Sequence, residues 1–171
     1  MVTLRATLPS DIPALQRLAI DTQVDTFGAY NTEANMKAYL DQAYNLDNLR
    51  QELDEPGSHN YLAFFDTSLA GFMRLRVTDE VAHFLGTSTI ELQRLYVDKN
   101  FHGRGVGAAM MKEALRLARD KRYDWMWLGV WERNFKAQEF YAKWGFERFS
   151  EHIFQMGDDP QTDWLLRKRI N

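Results

Sequence analysis

The sequence predicts a single α/β domain: a mixed central sheet of about seven strands flanked by about four helices. Segments of strand-like alternation interleave with segments of helical spacing in the order strand, two helices, three strands, helix, strand, helix, two strands. The run Glu91–Met111 passes from strand through a glycine-rich loop into helix, the pattern of a parallel crossover. The 171 residues, 45% hydrophobic, suffice for one core, and no linker, repeat or low-complexity stretch divides them.

Val2–Thr7 alternates and suits a first strand. Pro9-Ser10-Asp11 supplies turn and cap residues for a helix from about Ile12. Thr32–Asn48 reads as one helix with Met36, Tyr39, Leu40 and Tyr44 on one face, and Phe27-Gly-Ala-Tyr30-Asn lies between the two. Pro56-Gly57-Ser58 ends the helical pattern. Tyr61–Asp66 and Leu69–Val77 then form a hairpin, and Thr89–Val97 is the next strand. Gly105–Asp120 is a helix with Val106, Met110, Ala114 and Leu117 at helical spacing. Trp125–Val130 is a short apolar strand buried on both faces. Asn134 caps a helix ending at Gly145, and the turn Gly157–Pro160 separates the strands Phe146–Met156 and Thr162–Arg169.

Composition excludes several kinds of chemistry. There is no cysteine, hence no disulfide, thiolate metal site or cysteine nucleophile. His59, His83, His102 and His152 are scattered without metal-ligand spacing, so no metal is expected. A net charge of −3 without a clustered basic face argues against nucleic acid. No apolar run approaches the roughly 20 residues of a membrane helix, and Met1–Ala6 lacks the apolar core of a signal peptide. The expectation is a cytoplasmic protein without a membrane partner.

A glycine-rich loop opening a helix offers free backbone N–H groups at the positive end of the helix dipole, a ready phosphate site. A Walker loop is absent. The dinucleotide fingerprint matches at Gly103 and Gly105 and has Ala108 at its third position, an alanine that the fingerprint tolerates. His102-Gly103-Arg104-Gly105-Val106-Gly107 resembles instead the Gln/Arg-x-x-Gly-x-Gly/Ala pyrophosphate loop of the GNAT superfamily of acyl-CoA-dependent N-acetyltransferases, departing from it at His102. The segment Trp127–Phe146, with Asn134, Ala137, Phe140-Tyr141 and Gly145-Phe146, resembles the second half of that family. Leu128–Glu132 and Met156–Trp164 look like the PaiA-type bacterial spermidine/spermine acetyltransferases.

The resemblance implies the GNAT fold, with splayed strands and a bulge at an acetyl-CoA site. It implies that His102, Gly103, Arg104, Gly105, Val106, Gly107 and Ala108 hold the pyrophosphate. The backbone of Leu95, Tyr96 and Val97 would pair with pantetheine like an added strand. Asn134, with Ala137 and Lys143 on its helix, would contact the cofactor, and Tyr141 would protonate the departing CoA thiolate. Asn134 and Tyr141 are two helical turns apart and share a face. A phenol keeps its proton near neutral pH and suits the acid role.

The acceptor amine, with a pKa of about 10, must lose a proton before it attacks. Glu91 matches the position of the catalytic glutamate in some members; it also suits a solvated strand residue. On an ideal strand Glu91 shares a face with Gln93, Leu95 and Val97, a register that a bulge would break. Asn134 serves equally as a plain helix cap, and Arg104 as a surface arginine. Asp158, Asp159 and Asp163 suit a polycation, and the acceptor pocket is expected near Phe27–Tyr30 and the late strands. The implied function is acetyl transfer from acetyl-CoA to a small-molecule primary amine, a polyamine first among them, by direct attack on the thioester. Amino-acid or protein amines are alternative acceptors. A non-catalytic acyl-CoA sensor and a nucleotide-binding protein are the rival readings, and the aromatic content is compatible with a homodimer.

Overall fold

The computed structural model describes residues 1–171. Seven strands form one sheet: β1 (Val2–Ala6), β2 (His59–Phe65), β3 (Ser68–Arg76), β4 (Thr89–Val97), β5 (Trp125–Trp131), β6 (Glu147–Met156) and β7 (Asp159–Arg169). Their order is β1-β2-β3-β4-β5-β7-β6, and only the β4–β5 contact is parallel. The helices are α1 (Ile12–Phe27), α2 (Glu33–Ala43), α3 (Leu46–Asp54), the single turn α4 (Ala82–Leu85), α5 (Val106–Asp120) and α6 (Phe135–Lys143).

Two cores sandwich the sheet. On one face α5 buries Val106, Met110, Met111, Ala114, Leu115, Leu117 and Ala118 against β2–β5 and β7. Each large apolar side chain so buried contributes about 1.5–3 kcal/mol, which makes α5 the main anchor of that face. On the other face α1 and α3 pack Ile12, Leu15, Leu18, Ala19 and Leu49 over Leu62 and Phe72. A smaller cluster, Val81, Leu85, Trp127 and Leu165, holds α4 against β5 and β7. Helix α5 approaches β3 at Gly71, where a Cβ would stand 2.8 Å from the Tyr96 carbonyl oxygen and 3.0 Å from Met110 Cε.

Several element boundaries differ from the sequence expectation, each for a local reason. The single helix expected over Thr32–Asn48 is two helices. Asn45 leaves helical geometry and its side chain accepts the Asn48 N–H at 2.8 Å, which starts α3 afresh. Gly105 is the cap of α5 rather than its first residue, with φ of 82°. The last turn is Gly157–Asp158 alone, and Asp159 and Pro160 already belong to β7. Pro160 is tolerated there because β5 pairs with β7 only from Asp163 onward, leaving that stretch at an edge. Helix α4 lies in a segment with no sequence signal for it.

Candidate functional site

The site begins where β4 and β5 part. They pair at Thr89–Trp125, Ile90–Met126 and Glu91–Trp127, and no further. Beyond Glu91 both strands continue, β4 to Val97 and β5 to Trp131, with a gap between them. Strand β4 also carries a bulge: Arg74 pairs with Arg94 and Leu75 with Leu92, which leaves Gln93 extra. The expected splay and bulge are both present.

The bulge decides which side chain serves which face. Leu92, Leu95 and Val97 pack toward α5, whereas Arg94 and Tyr96 turn to the α1–α3 face. Glu91 therefore does not share a face with Leu95 and Val97, because one extra residue inverts the alternation. On the α1–α3 side Glu91 is 7% exposed, and Arg76 Nε donates to its Oε2 at 2.5 Å. Burial raises its pKa, and the Arg76 contact works against that rise.

At the far end of the gap lies the glycine loop. Gly103 and Gly105 take φ of 76° and 82°, and a Cβ at either would meet nothing within 4 Å. The first N–H of α5 to be bonded is that of Ala109, to the O of the cap residue Gly105 at 3.0 Å, and the amides of Val106, Gly107 and Ala108 before it have no intramolecular acceptor. The left-handed glycines turn the loop so that these three amides face outward at the positive end of a fifteen-residue helix. This cradle fits a phosphate without demanding any side chain. His102 donates from its ring nitrogen to the Val97 carbonyl at 2.9 Å and so ties the loop to the end of β4. Arg104 is exposed, with its guanidinium 5.3 Å from the Phe65 ring centre and 5.7 Å from that of Phe101.

Helix α6 flanks the gap on the α5 side. Asn134 caps it by accepting the Ala137 N–H at 3.2 Å. A Cβ on Gly107 would lie 3.6 Å from the Phe140 ring and 3.8 Å from Val97, so the α5 tip, α6 and β4 meet there. Tyr141 is 9% exposed and packs beside Phe140 and Phe146. Burial and then the nearby Tyr96 phenol push its pKa above the ordinary value. Lys143 is not brought to this group. It is exposed at the last position of α6, half a helical turn around the axis from Asn134 and Tyr141.

The opposite mouth of the gap, on the α1–α2 side, is polar and aromatic. Tyr96 sits beside Gln23 of α1, whose buried Nε2 has no hydrogen-bond partner. Trp131 meets Phe27 and Tyr30 edge-on at 5.7 and 5.1 Å, and Tyr39 meets Phe154 at 5.5 Å. Tyr30, Trp131, Asp159 and Gln161 line an open cleft, where the sequence expected an acceptor pocket. Asp163 is near enough to bear on both Tyr39 and Tyr96. Arg76, Gln23, Tyr39 and the His152–Glu80–Asp163 group were not anticipated together, because they come from five separated segments and no local spacing links them.

Residues 21–146 match the acetyltransferase (GNAT) family. The chain is 38% identical over 164 residues to an uncharacterized N-acetyltransferase in the pepI 3′ region of Lactobacillus delbrueckii subsp. lactis, covering 94% of this chain and 92% of the relative. It is 28% identical over 133 residues to human N-acetylaspartate synthetase, covering 75% of this chain and 42% of that protein. Its fold is similar to that of a PaiA N-acetyltransferase from Thermoplasma acidophilum in complex with coenzyme A, with a TM-score of 0.83, 21% identity and 99% of each chain covered. It is also similar to the ribosomal-protein-S18-alanine N-acetyltransferase of Escherichia coli, with a TM-score of 0.74, 15% identity, and 100% and 95% of the two chains covered.

Proposed function

Since the chain belongs to the acetyltransferase (GNAT) family and is an N-acetyltransferase, we propose that it transfers acetyl from acetyl-CoA to a primary amine of a small molecule, a polyamine before others. The observation that carries this reading is the parting of β4 from β5 after Glu91, with a cradle of unpartnered amides at one end of the gap. In this reading the amides of Val106–Ala108 receive the pyrophosphate. The free edge of Leu95–Val97 and the Asn134–Ala137 turn receive pantetheine, and the thioester enters the gap from the α5–α6 side.

The amine approaches from the α1–α2 side and attacks the thioester carbonyl directly. The C–N bond forms, the C–S bond breaks, and the thiolate takes a proton from Tyr141; the acylated nitrogen, which still carries one proton more than the amide, gives it up to return the phenolate to the phenol. A phenol whose pKa is pushed up by burial stays protonated through the neutral range and is a competent donor. Glu91, with Oε2 engaged by Arg76, has Oε1 left to hold the water through which the amine loses its proton. The polyamine choice draws on the carboxylates Asp163, Glu80 and Glu91 on the acceptor face and on the aromatic walls Tyr39, Tyr96 and Trp131, which suit alkylammonium chains.

The test is CoA release from acetyl-CoA against a panel of amines, with spermidine and spermine at its head. Turnover on polyamines at least tenfold above monoamines supports the assignment. Turnover confined to amino acids or peptide N-termini refutes the polyamine part. No turnover on any amine, with acetyl-CoA bound, refutes transfer to an amine.

A further inference from the structure

One cluster on the acceptor face is left unused by the steps above. His152 of β6 stands between two carboxylates. Its Nδ1 is 3.0 Å from Glu80 Oε1, a hydrogen bond, and its Nε2 is 3.6 Å from Asp163 Oδ2, beyond one. A carboxylate only accepts, so in the neutral ring Glu80 holds the proton on Nδ1 and leaves the Nε2 lone pair bare. That is the arrangement of an oriented general base, with an acid group fixing its tautomer from behind.

The bare nitrogen lies over β5 at Gly129. A Cβ on Gly129 would stand 3.8 Å from His152 Nε2 and 3.4 Å from Asp163 Oδ2. Gly129 is exposed although its neighbours in β5, Leu128 and Val130, are buried. It lies two residues past Trp127, where the β4–β5 pairing stops. The strand thus offers a bare floor beside the gap, with Nε2 and Oδ2 at its rim. The charged groups facing His152 are Glu80, from the approach to α4, and Asp163, from β7. Tyr39 of α2 and Tyr96 of β4 face Asp163 from the other wall, and Glu80 bears on Glu91. Asp163 and then Glu80 hold the His152 pKa above the ordinary imidazole value, closer to that of an alkylamine.

Resting on the acetyl-transfer reading above, we propose that His152 is the general base for the acceptor: Asp163 holds the incoming ammonium over Gly129, and Nε2 takes its proton. The transfer runs directly or across the water held by Glu91. The ammonium becomes a neutral amine and His152 an imidazolium, which returns the proton to solvent after acetyl transfer. Glu80 is a positioning residue that sets the tautomer.

The experiment measures kcat/KM against pH from 5.5 to 9.5 for the wild type, His152→Gln and Glu80→Gln, on the best amine of the panel, with acetyl-CoA affinity determined by calorimetry. In the wild type activity falls as the pH drops through the raised His152 pKa. His152→Gln should lose about 100-fold or more at pH 7.5, lack that limb, regain activity with added imidazole, and bind acetyl-CoA within twofold of wild type. Glu80→Gln should keep the limb and move it to lower pH, a shift that a merely structural contact would not produce. Activity of His152→Gln within threefold of wild type, with the limb in place, overturns the proposal. A second measurement needs no turnover: ring ¹⁵N shifts should put the neutral His152 proton on Nδ1, and an Nε2–H tautomer overturns it. A wild type inactive on every amine sinks the transfer reading itself, whereas an active wild type with an active His152→Gln sinks only the base.

Discussion

Removing the Tyr141 hydroxyl separates chemistry from folding in this protein. The Tyr141 ring is buried against Phe140 and Phe146, at centroid distances of 5.4 and 5.8 Å, and phenylalanine keeps both contacts. The hydroxyl makes no hydrogen bond within the protein, so its loss strands no partner. Tyr141→Phe should therefore unfold in urea within about 0.5 kcal/mol of wild type. If the phenol protonates the leaving thiolate, kcat should fall by about 10²- to 10⁴-fold, the usual worth of a positioned acid. That is about 3–5 kcal/mol of barrier. Burial raises the phenol pKa, so no kinetic limb from Tyr141 should appear between pH 6 and 9. The assay pairs steady-state CoA release with calorimetric acetyl-CoA binding. A kcat within threefold of wild type, or a rate loss matched by an equal loss of acetyl-CoA affinity, refutes the acid role.

Glu52→Ala should destabilise the fold by about 3–5 kcal/mol in urea melts. The reason is that Arg94, 9% exposed, loses the carboxylate that it contacts at 2.5 and 3.0 Å and is left as a buried charge; a loss under 1 kcal/mol would contradict this. Gly71→Ala should cost about 1–3 kcal/mol, because its Cβ would press on the Tyr96 carbonyl at 2.8 Å; urea midpoints check it, and a neutral result would mean that β4 gives way freely. The stability gap between wild type and His152→Gln should be largest at pH 5.5 and shrink by pH 9. A folded-state pKa raised by Asp163 and Glu80 stabilises fully below the unfolded value of about 6.5 and loses that contribution as pH rises through the folded one. Thermal melts at the two pH values read it, and a gap that widens with pH reverses the sign.

The cofactor half of the site was legible because its signals are local. The glycines at 103 and 105 stand out where left-handed turns release the α5 amides, and Asn134 and Tyr141 share a helix at a spacing that any helix converts into one face. The seven strands fall in the expected places, as do α1, α5 and α6, because α5 and the strands around it carry strong periodicity; the split at Asn45 and the single turn α4 are the departures. The helix boundary at Asn45 is hard to read because Met36, Tyr39, Leu40 and Tyr44 run up to it at helical spacing with no glycine or proline to end them, and a cap side chain is a weaker signal than a stripe. Lys143 was grouped with its helix-mates although its position turns it away from them.

What sequence alone determines is the family, the parallel crossover at Gly105 and the backbone cradle at its tip. Each follows from neighbouring residues whose spacing specifies a conformation by sterics and hydrogen bonding. Only tertiary structure decides the acceptor side. Glu91 is assigned its face by a one-residue bulge at Gln93, a register event between β3 and β4. His152 and Asp163 meet over Gly129, with Glu80 on the far side of the imidazole, because the segment before α4 packs with β6 and β7 beside a gap that exists only once the sheet has formed. Contacts between residues up to 72 positions apart leave no periodic trace in a single chain, since nothing local constrains them until the strands that carry them are paired.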